Sequence, residues 1–430
     1  MPALSLEPYK GTRDFYPQEQ FIQNYIFSVW RKAVENYGYL EYNASILEET
    51  ALYKAKSGEE IVNDQTYSFV DRGGREVTIR PEMTPTVARM VAQKRRELSF
   101  PLRWFSIPNL FRYERPQRGR LREHWQLNVD MFGVEGMEAD VEIISVADSI
   151  LKSFGATPSQ YKIRVNSRKF VNWLLADYFS LSQPEAYKIS KLIDRMHKMP
   201  RNEFKVLSGE IVKDKADVLE NILQAKEIGD LPEGIRNSEP AQEISALISK
   251  LSDAGIVNAQ FDPALIRGFD YYTGTVFEVF DVNPENPRSI FGGGRYDDLV
   301  GIFGVERVSG IGFGMGDVTT RDFLETHNLL PSYRPPVDVL VCHLDGYMDE
   351  ANKLANYLRS QNINTLVDLT ARKVTAQIKT ADREFVPCII VVGEKEVAEN
   401  KYDVKHLPTG QVVLSEREEL VANIARLIKP

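Results

Sequence analysis

The chain has 430 residues, with 61 Asp and Glu against 53 Lys and Arg, a formal net charge of −8 and a hydrophobic share of 43%. That length holds two or three domains and a large core, and the composition is that of ordinary globular protein rather than of a disordered or fibrous chain. Mild acidity excludes a general nucleic-acid coat while leaving room for a local basic surface, and no run of about 18 apolar residues offers a membrane span.

In chain order, Gln18 to Tyr37 has helical periodicity and leads through Gly38 into an extended run. Val77 to Phe132 reads as antiparallel strands around a helix from Thr84 to Arg96. Within it, Phe111-Arg-Tyr-Glu-Arg-Pro-Gln-Arg-Gly-Arg-Leu-Arg-Glu-His-Trp-Gln126 sets five arginines between Arg112 and Arg122. Pro116 and Gly119 mark a turn between strands Trp104 to Phe111 and His124 to Phe132, which makes a hairpin with a basic tip. Arginine forks hold phosphate oxygens with two parallel hydrogen bonds, so a triphosphate or an RNA backbone is the expected partner. The plainer alternative is a solvated charged loop. Glu114, a carboxylate among these arginines, suits an amine such as the adenine amino group.

From about Asn166 to Asn258 the pattern turns to amphipathic helices, among them Gln183 to Met196 and Ala241 to Leu251. Strand patterns return at Asp262. Arg267-Gly-Phe-Asp-Tyr-Tyr-Thr-Gly-Thr-Val-Phe-Glu278 places an arginine, an aspartate and two tyrosines where a strand begins, a usual place for functional groups. Taken alone, Arg267 and Asp270 also fit a structural ion pair. Ser309-Gly-Ile-Gly-Phe-Gly-Met-Gly-Asp317 repeats glycine at every second position. Strand side chains alternate faces, so the four glycines predict a smooth floor for a flat object such as a purine, with Ile311, Phe313 and Met315 in the core behind it.

Pro331-Ser-Tyr-Arg-Pro-Pro336 reads as a stiff linker. Beyond it come strand Val337 to Cys342, helix Tyr347 to Arg359, strand Asn364 to Val367, helix Val374 to Phe385 and strand Pro387 to Val392. A hairpin through Pro408 and a last helix follow. This alternation predicts a parallel, doubly wound sheet with helices on both faces. Cys342 and Cys388 fall in apolar runs as buried, reduced thiols, too few for a zinc site. With no basic flank before an apolar run at the N-terminus, the expected compartment is the cytoplasm, without membrane attachment.

The hairpin and the glycine strand resemble motifs 2 and 3 of class II aminoacyl-tRNA synthetases. Arg267 to Glu278, with Phe291-Gly-Gly-Gly-Arg-Tyr-Asp-Asp-Leu299, resembles the signature pair of the histidyl-tRNA synthetase family. Lys10-Gly-Thr-Arg-Asp-Phe-Tyr-Pro17, Arg80-Pro-Glu-Met-Thr84 and the C-terminal region are similar to the same family, so the resemblance covers nearly the whole chain. It implies an α+β catalytic domain over residues 1–165 and 259–330, an antiparallel class II sheet flanked by helices. It also implies a helical insertion at 166–258, a linker at 331–336 and a C-terminal α/β anticodon-binding domain at 337–430.

The implied chemistry joins histidine to ATP as histidyl-adenylate and passes the histidyl group to the 3′ end of tRNA(His). By the same resemblance, Arg112 and Arg267 are the catalytic pair on the α-phosphate. Glu82, Thr84 and Gln126 take the ammonium group; Asp130, Tyr272 and Tyr296 take the imidazole, and Tyr271 also belongs to the histidine-binding set. Glu114, Arg120, Gly314, Gly316 and Arg321 join the two arginines in holding ATP, and Gln117, Arg118 and Arg122 face the tRNA acceptor end. Mg2+ accompanies the pyrophosphate, its protein ligands left open, and the implied assembly is a homodimer.

Three departures from the family stand out. Its motif 3 ends in a Glu-Arg pair whose arginine stacks on adenine; here Asp317-Val318 occupies that place, and Arg321, one turn on, is the expected substitute. Ser45 replaces the proline of motif 1, although Tyr37-Gly-Tyr-Leu-Glu41 around that interface still matches. Asp130 replaces a glutamate. His124 reads as a strand histidine on the pocket wall rather than a general base, and Lys373, Lys379 and Arg383 as an RNA-facing or simply solvated surface. The alternative function is a regulatory subunit of ATP phosphoribosyltransferase. Such relatives tend to lack the intact histidine signatures and the C-terminal domain, and this chain keeps both.

Overall fold

A computed structural model describes residues 4–54, 65–266, 271–370 and 372–428, with His197 described by its backbone. Contacts divide the chain into two units, Met1–Pro331 and Ser332–Pro430. In chain order the main strands of the first unit are β1 (Leu40–Glu41), β2 (Leu102–Ser106), β3 (Glu123–Phe132), β4 (Tyr161–Ser167), β5 (Ala259–Phe261), β6 (Thr275–Asp281), β7 (Ser289–Arg295) and β8 (Gly310–Gly316). Side by side they run β1-β2-β3-β8-β7-β6-β4-β5, and the short strand Asn109–Phe111 pairs with the start of β3. Every neighbouring pair is antiparallel except β1 with β2 and β4 with β5.

Alternation along the strands divides the two faces. Val129, Phe277, Val279, Phe313 and Met315 point into a core shared with helices α1 (Pro17–Glu35) and α3 (Met137–Ser153), which contribute Ile26, Trp30, Ile143 and Ile150. Full burial of such side chains stabilises by about 1.5–3 kcal/mol each. On the opposite face α2 (Thr84–Lys94) lays Val87, Ala88 and Val91 against Phe132, Tyr271 and Tyr296. The expected strand from Trp104 to Phe111 is broken at Pro108, which has no N–H to give the ladder, so pairing resumes only at Asn109. The expected strand at Val77 is Glu76–Ile79, which pairs with Leu47–Glu49 and Tyr67–Val70 in a small separate sheet; the sequence reading holds no counterpart of helix α3.

Between β4 and β5 the chain is helical. Helix α4 (Gln183–Arg195) starts with a Ser182–Glu185 capping box. With Arg201–Val212, Ala216–Gln224 and Glu239–Asp253 it encloses Ile189, Leu219, Ile222 and Ile244 around Phe170 and Phe261.

The second unit orders its strands β10 (Thr365–Val367), β9 (Val339–His343), β11 (Cys388–Val392), β12 (Lys401–His406) and β13 (Val412–Glu416). The first three are parallel, as the alternation of strands and helices predicts, and β12 and β13 are the antiparallel hairpin expected through Pro408, so the whole sheet is mixed. Gly410, at φ +71°, turns the chain straight back and leaves no room for a crossover helix. Val339 and Val341 meet α6 (Met348–Ser360) and α8 (Leu420–Ile428) on one face; Leu340 and Cys342 meet Ala381 of α7 (Val374–Arg383) on the other. Both cysteines are buried and free. Among the described residues no helix is long and apolar enough to cross a membrane.

Candidate functional site

The sheet register sets Asn128, Gly314, Gly292, Glu278 and Arg164 abreast across β3, β8, β7, β6 and β4. Asp130, Gly312, Gly294 and Val276 lie abreast two residues further along, on the same face. A Cβ at Gly312 would stand 2.5 Å from Asp130 Oδ1 and 2.9 Å from the Tyr296 hydroxyl, and one at Gly310 would stand 2.7 Å from the Tyr296 ring. At Gly314 it would meet the Gln126 amide at 2.7 Å, while Gly316 meets nothing nearer than Thr319 at 3.6 Å. The smooth floor expected from the sequence is thus corrected. Gly310 and Gly312 lie under side chains from neighbouring strands, and of the four only Gly314 and Gly316 line an open cavity.

Beneath α2 the polar groups form a closed cluster. The Tyr271 hydroxyl donates to Glu82 Oε2 at 3.1 Å, with Thr84 beside it, and the Tyr296 hydroxyl donates to Asp130 Oδ1. Tyr272 and Tyr296 meet the Tyr271 ring edge-on, with centroids 5.1 and 5.9 Å away. Glu82, Asp130, Tyr271 and Tyr296 are all buried, and Asp130 Oδ2 has no hydrogen-bond partner among the described residues. Burial pushes the Asp130 carboxyl up to about 7, against the pull of the Tyr296 hydroxyl. Arg267, expected close by, lies outside the described residues.

Further along the same face opens a cavity of about 890 Å³, within the range of small-molecule sites. The hairpin gives it Arg112, Glu114, Gln117, Arg120, His124 and Gln126. Arg112 Nε donates to the Pro81 carbonyl at 2.9 Å, which ties the hairpin to the segment bearing Glu82. Glu114 Oε2 lies 3.4 Å from Arg120 and makes no hydrogen bond among the described residues. Burial, then the guanidinium groups of Arg112 and Arg13, push His124 down to about 3. Its imidazole is therefore neutral and too weak a base for proton transfer near pH 7.

Two expected residues are elsewhere. Arg122 lies over the Tyr113 ring at 4.1 Å, donates to the Tyr9 hydroxyl and the Glu114 carbonyl, and so braces the base of the hairpin. Arg321, on α5 (Asp317–Thr326), turns away to Glu325, an i,i+4 partner 2.7 Å off, while Val318 and Thr319 line the cavity. Asp317 is buried and structural, accepting from Arg13 at 2.6 Å, Gln23 at 3.0 Å and the Trp125 amide at 2.9 Å. Arg118 sits near Asp322, and Gln117 accepts from Arg288 at 2.9 Å.

The cavity also takes residues that the sequence reading passed over: Glu278, Arg288, the Arg164–Asp262 pair at 3.0 Å, and Ile193, Asp194 and Lys198 at the end of α4. Glu278 carried a signal, as an acid on the inward row of an otherwise apolar strand. The α4 residues carried none, because their helix follows an ordinary amphipathic pattern.

The sequence model of the histidyl-tRNA synthetase family matches residues 11–316, and that of an anticodon binding domain matches 337–427. A histidine–tRNA ligase of Leptospira biflexa is 44% identical over 411 residues, 94% of each chain. One of Thermoplasma volcanium is 35% identical over 416 residues, 95% of this chain and 96% of its own. In fold, a crystal structure of histidyl-tRNA synthetase from Nostoc sp. PCC 7120 superposes with a TM-score of 0.83 over 99% of this chain and 100% of that one, at 21% identity. With a family model over residues 11–316 and a relative 44% identical over 94% of the chain, the chain belongs to the histidyl-tRNA synthetase family.

Proposed function

We propose that this chain is a histidine–tRNA ligase that activates histidine with ATP and transfers it to tRNA(His). The observation that carries the reading is the buried Asp130–Tyr296 and Glu82–Tyr271 pairs on the same sheet face as an arginine-lined cavity. Asp130 Oδ2, without a donor among the described residues, and the phenols around it suit an imidazole, one ring nitrogen donating and the other accepting. Glu82, with Thr84 and Gln126, suits the ammonium group. Groups buried in this way would reject side chains that leave them unpaired.

In the first step a histidine carboxylate oxygen attacks the α-phosphorus, the bond to the bridging oxygen breaks, and pyrophosphate leaves. Such a reaction depends on positioning and charge. Arg112 supplies one guanidinium to the non-bridging oxygens; the resemblance assigns the other to Arg267. Glu114 and Arg120 hold the base and phosphates over Gly314 and Gly316. In the second step the terminal ribose hydroxyl attacks the histidyl carbonyl and AMP leaves, with Gln117 and Arg118 toward the acceptor end. The surface of Lys373, Lys379 and Arg383 is our candidate for contact with the anticodon region.

Glu278, a carboxylate on the cavity floor, would offer Mg2+ a hard oxygen ligand. When bound there, the ion would neutralise charge on the departing pyrophosphate. The edge strand β1 exposes Leu40, and Ile46 and Leu47 are exposed beside Ser45, which supports a homodimer through this edge. The cytoplasm is the proposed compartment, where tRNA and ATP are both at hand. The test is histidine-dependent exchange of labelled pyrophosphate into ATP, followed by charging of tRNA(His), with sedimentation for the dimer. Exchange with histidine alone among amino acids is expected; none from folded protein would sink the reading.

A further inference from the structure

We propose that Arg288, from the turn between β6 and β7, binds the nucleotide in place of a motif 3 arginine, a position that Val318 holds here. The inference rests on the reading of the cavity as an ATP site. Where a motif 3 arginine would stand, Val318 and Thr319 present an aliphatic chain and a hydroxyl to the cavity. Arg321 is engaged by Glu325 and does not line it. Two other arginines of the lining already face carboxylates, Arg164 with Asp262 and Arg120 with Glu114. Arg288 lines the cavity with no carboxylate partner among the described residues, and its hydrogen bond is to a neutral group: Nη2 donates to the Gln117 side-chain carbonyl at 2.9 Å.

The fold fastens the turn that carries Arg288 to the start of α5. Two residues after Arg288, the Ile290 carbonyl accepts the Thr319 hydroxyl at 2.6 Å, which ties the start of β7 to the first turn of α5. The hairpin tip closes the same rim: a Cβ at Gly119 would lie 3.5 Å from Thr319 Cγ2. Arg288, Gln117 and the start of α5 therefore border one edge of the cavity. A planar guanidinium there can stack on a base and fork to phosphate oxygens, releasing a neutral amide for a charged acceptor. A rim arginine that only ties two loops together would show no preference between substrates.

Pyrophosphate exchange by the full chain separates the two cases. Arg288→Ala is expected to raise KM for ATP about tenfold and leave KM for histidine within about twofold, with an unchanged melting temperature. Should that variant fold poorly, Arg288→Gln keeps an amide donor for Gln117 while removing the charge, and the same selective rise in KM for ATP is expected. An unchanged KM for ATP, or an equal rise in both constants, overturns the inference. Absence of exchange in the unsubstituted chain would overturn the nucleotide reading first and this inference with it.

Discussion

At Asp130 the strand keeps a carboxylate where burial opposes its charge, and the opposition has a sign that can be measured. Its folded pKa is raised to about 7, above the ~3.9 of an unfolded aspartate, so the folded state holds an extra proton between those values. That contribution to stability is complete below the unfolded value and is lost as pH rises through about 7. In the unliganded protein, Asp130→Asn should thus gain melting temperature relative to wild type as pH increases from about 4 to about 7, and the difference should level off above that. The same change should raise KM for histidine at least tenfold, because with the side-chain carbonyl held by the Tyr296 hydroxyl the imidazole meets an NH2 donor where Oδ2 would accept. If the difference in melting temperature is flat with pH, Asp130 is not the buried acid described here. Asp317 is a contrasting carboxylate, whose role is holding the fold. Asp317→Ala strands Arg13 and Gln23 and should destabilise by about 3–5 kcal/mol in denaturant titration.

Strand β8 joins the two ends of the site, and its glycines differ in what they tolerate. Gly312→Ala would press a methyl within 2.4 Å of the Val129 carbonyl and 2.5 Å of Asp130, and should lower stability by about 1–3 kcal/mol and impair histidine binding. Gly316→Ala has ordinary space around it and should leave thermal stability within about 0.5 kcal/mol. Comparable melting curves for the two variants would contradict the packing described. These glycines also mark how far the sequence could be read. Their period of two gave the strand and its core face of Ile311, Phe313 and Met315. What occupies the other face depends on Tyr296, Asp130 and Gln126 from outside the strand, which no periodicity along it contains. Similarly, the basic hairpin was legible from its turn and arginines. That Arg122 turns inward follows from Tyr9, more than a hundred residues away in sequence. Arg321 was placed by helix spacing alone, and a glutamate one turn on redirected it.

For the whole molecule, each unit has a core of its own, the second built on Val339, Val341, Leu354, Ile390 and Ile424. A fragment beginning at Ser332 should fold cooperatively by itself, read as a single melting transition in circular dichroism. A fragment ending at Pro331 should keep pyrophosphate exchange within a few-fold of the full chain, because every described residue of the proposed site precedes that point. Charging of tRNA should fall much further. If exchange is lost from a folded fragment, the C-terminal unit takes part in activation and the division proposed here fails. The proline-rich joint between the units then has a kinetic meaning. Under the proposed function, in which both units touch tRNA, a short tether would keep one surface at an effective concentration of about millimolar relative to the other. Mixing the two fragments should therefore restore charging only as their concentrations approach that range. The six residues from Pro331 to Pro336 would act less as a spacer than as a fixed local supply of bound tRNA to the adenylate.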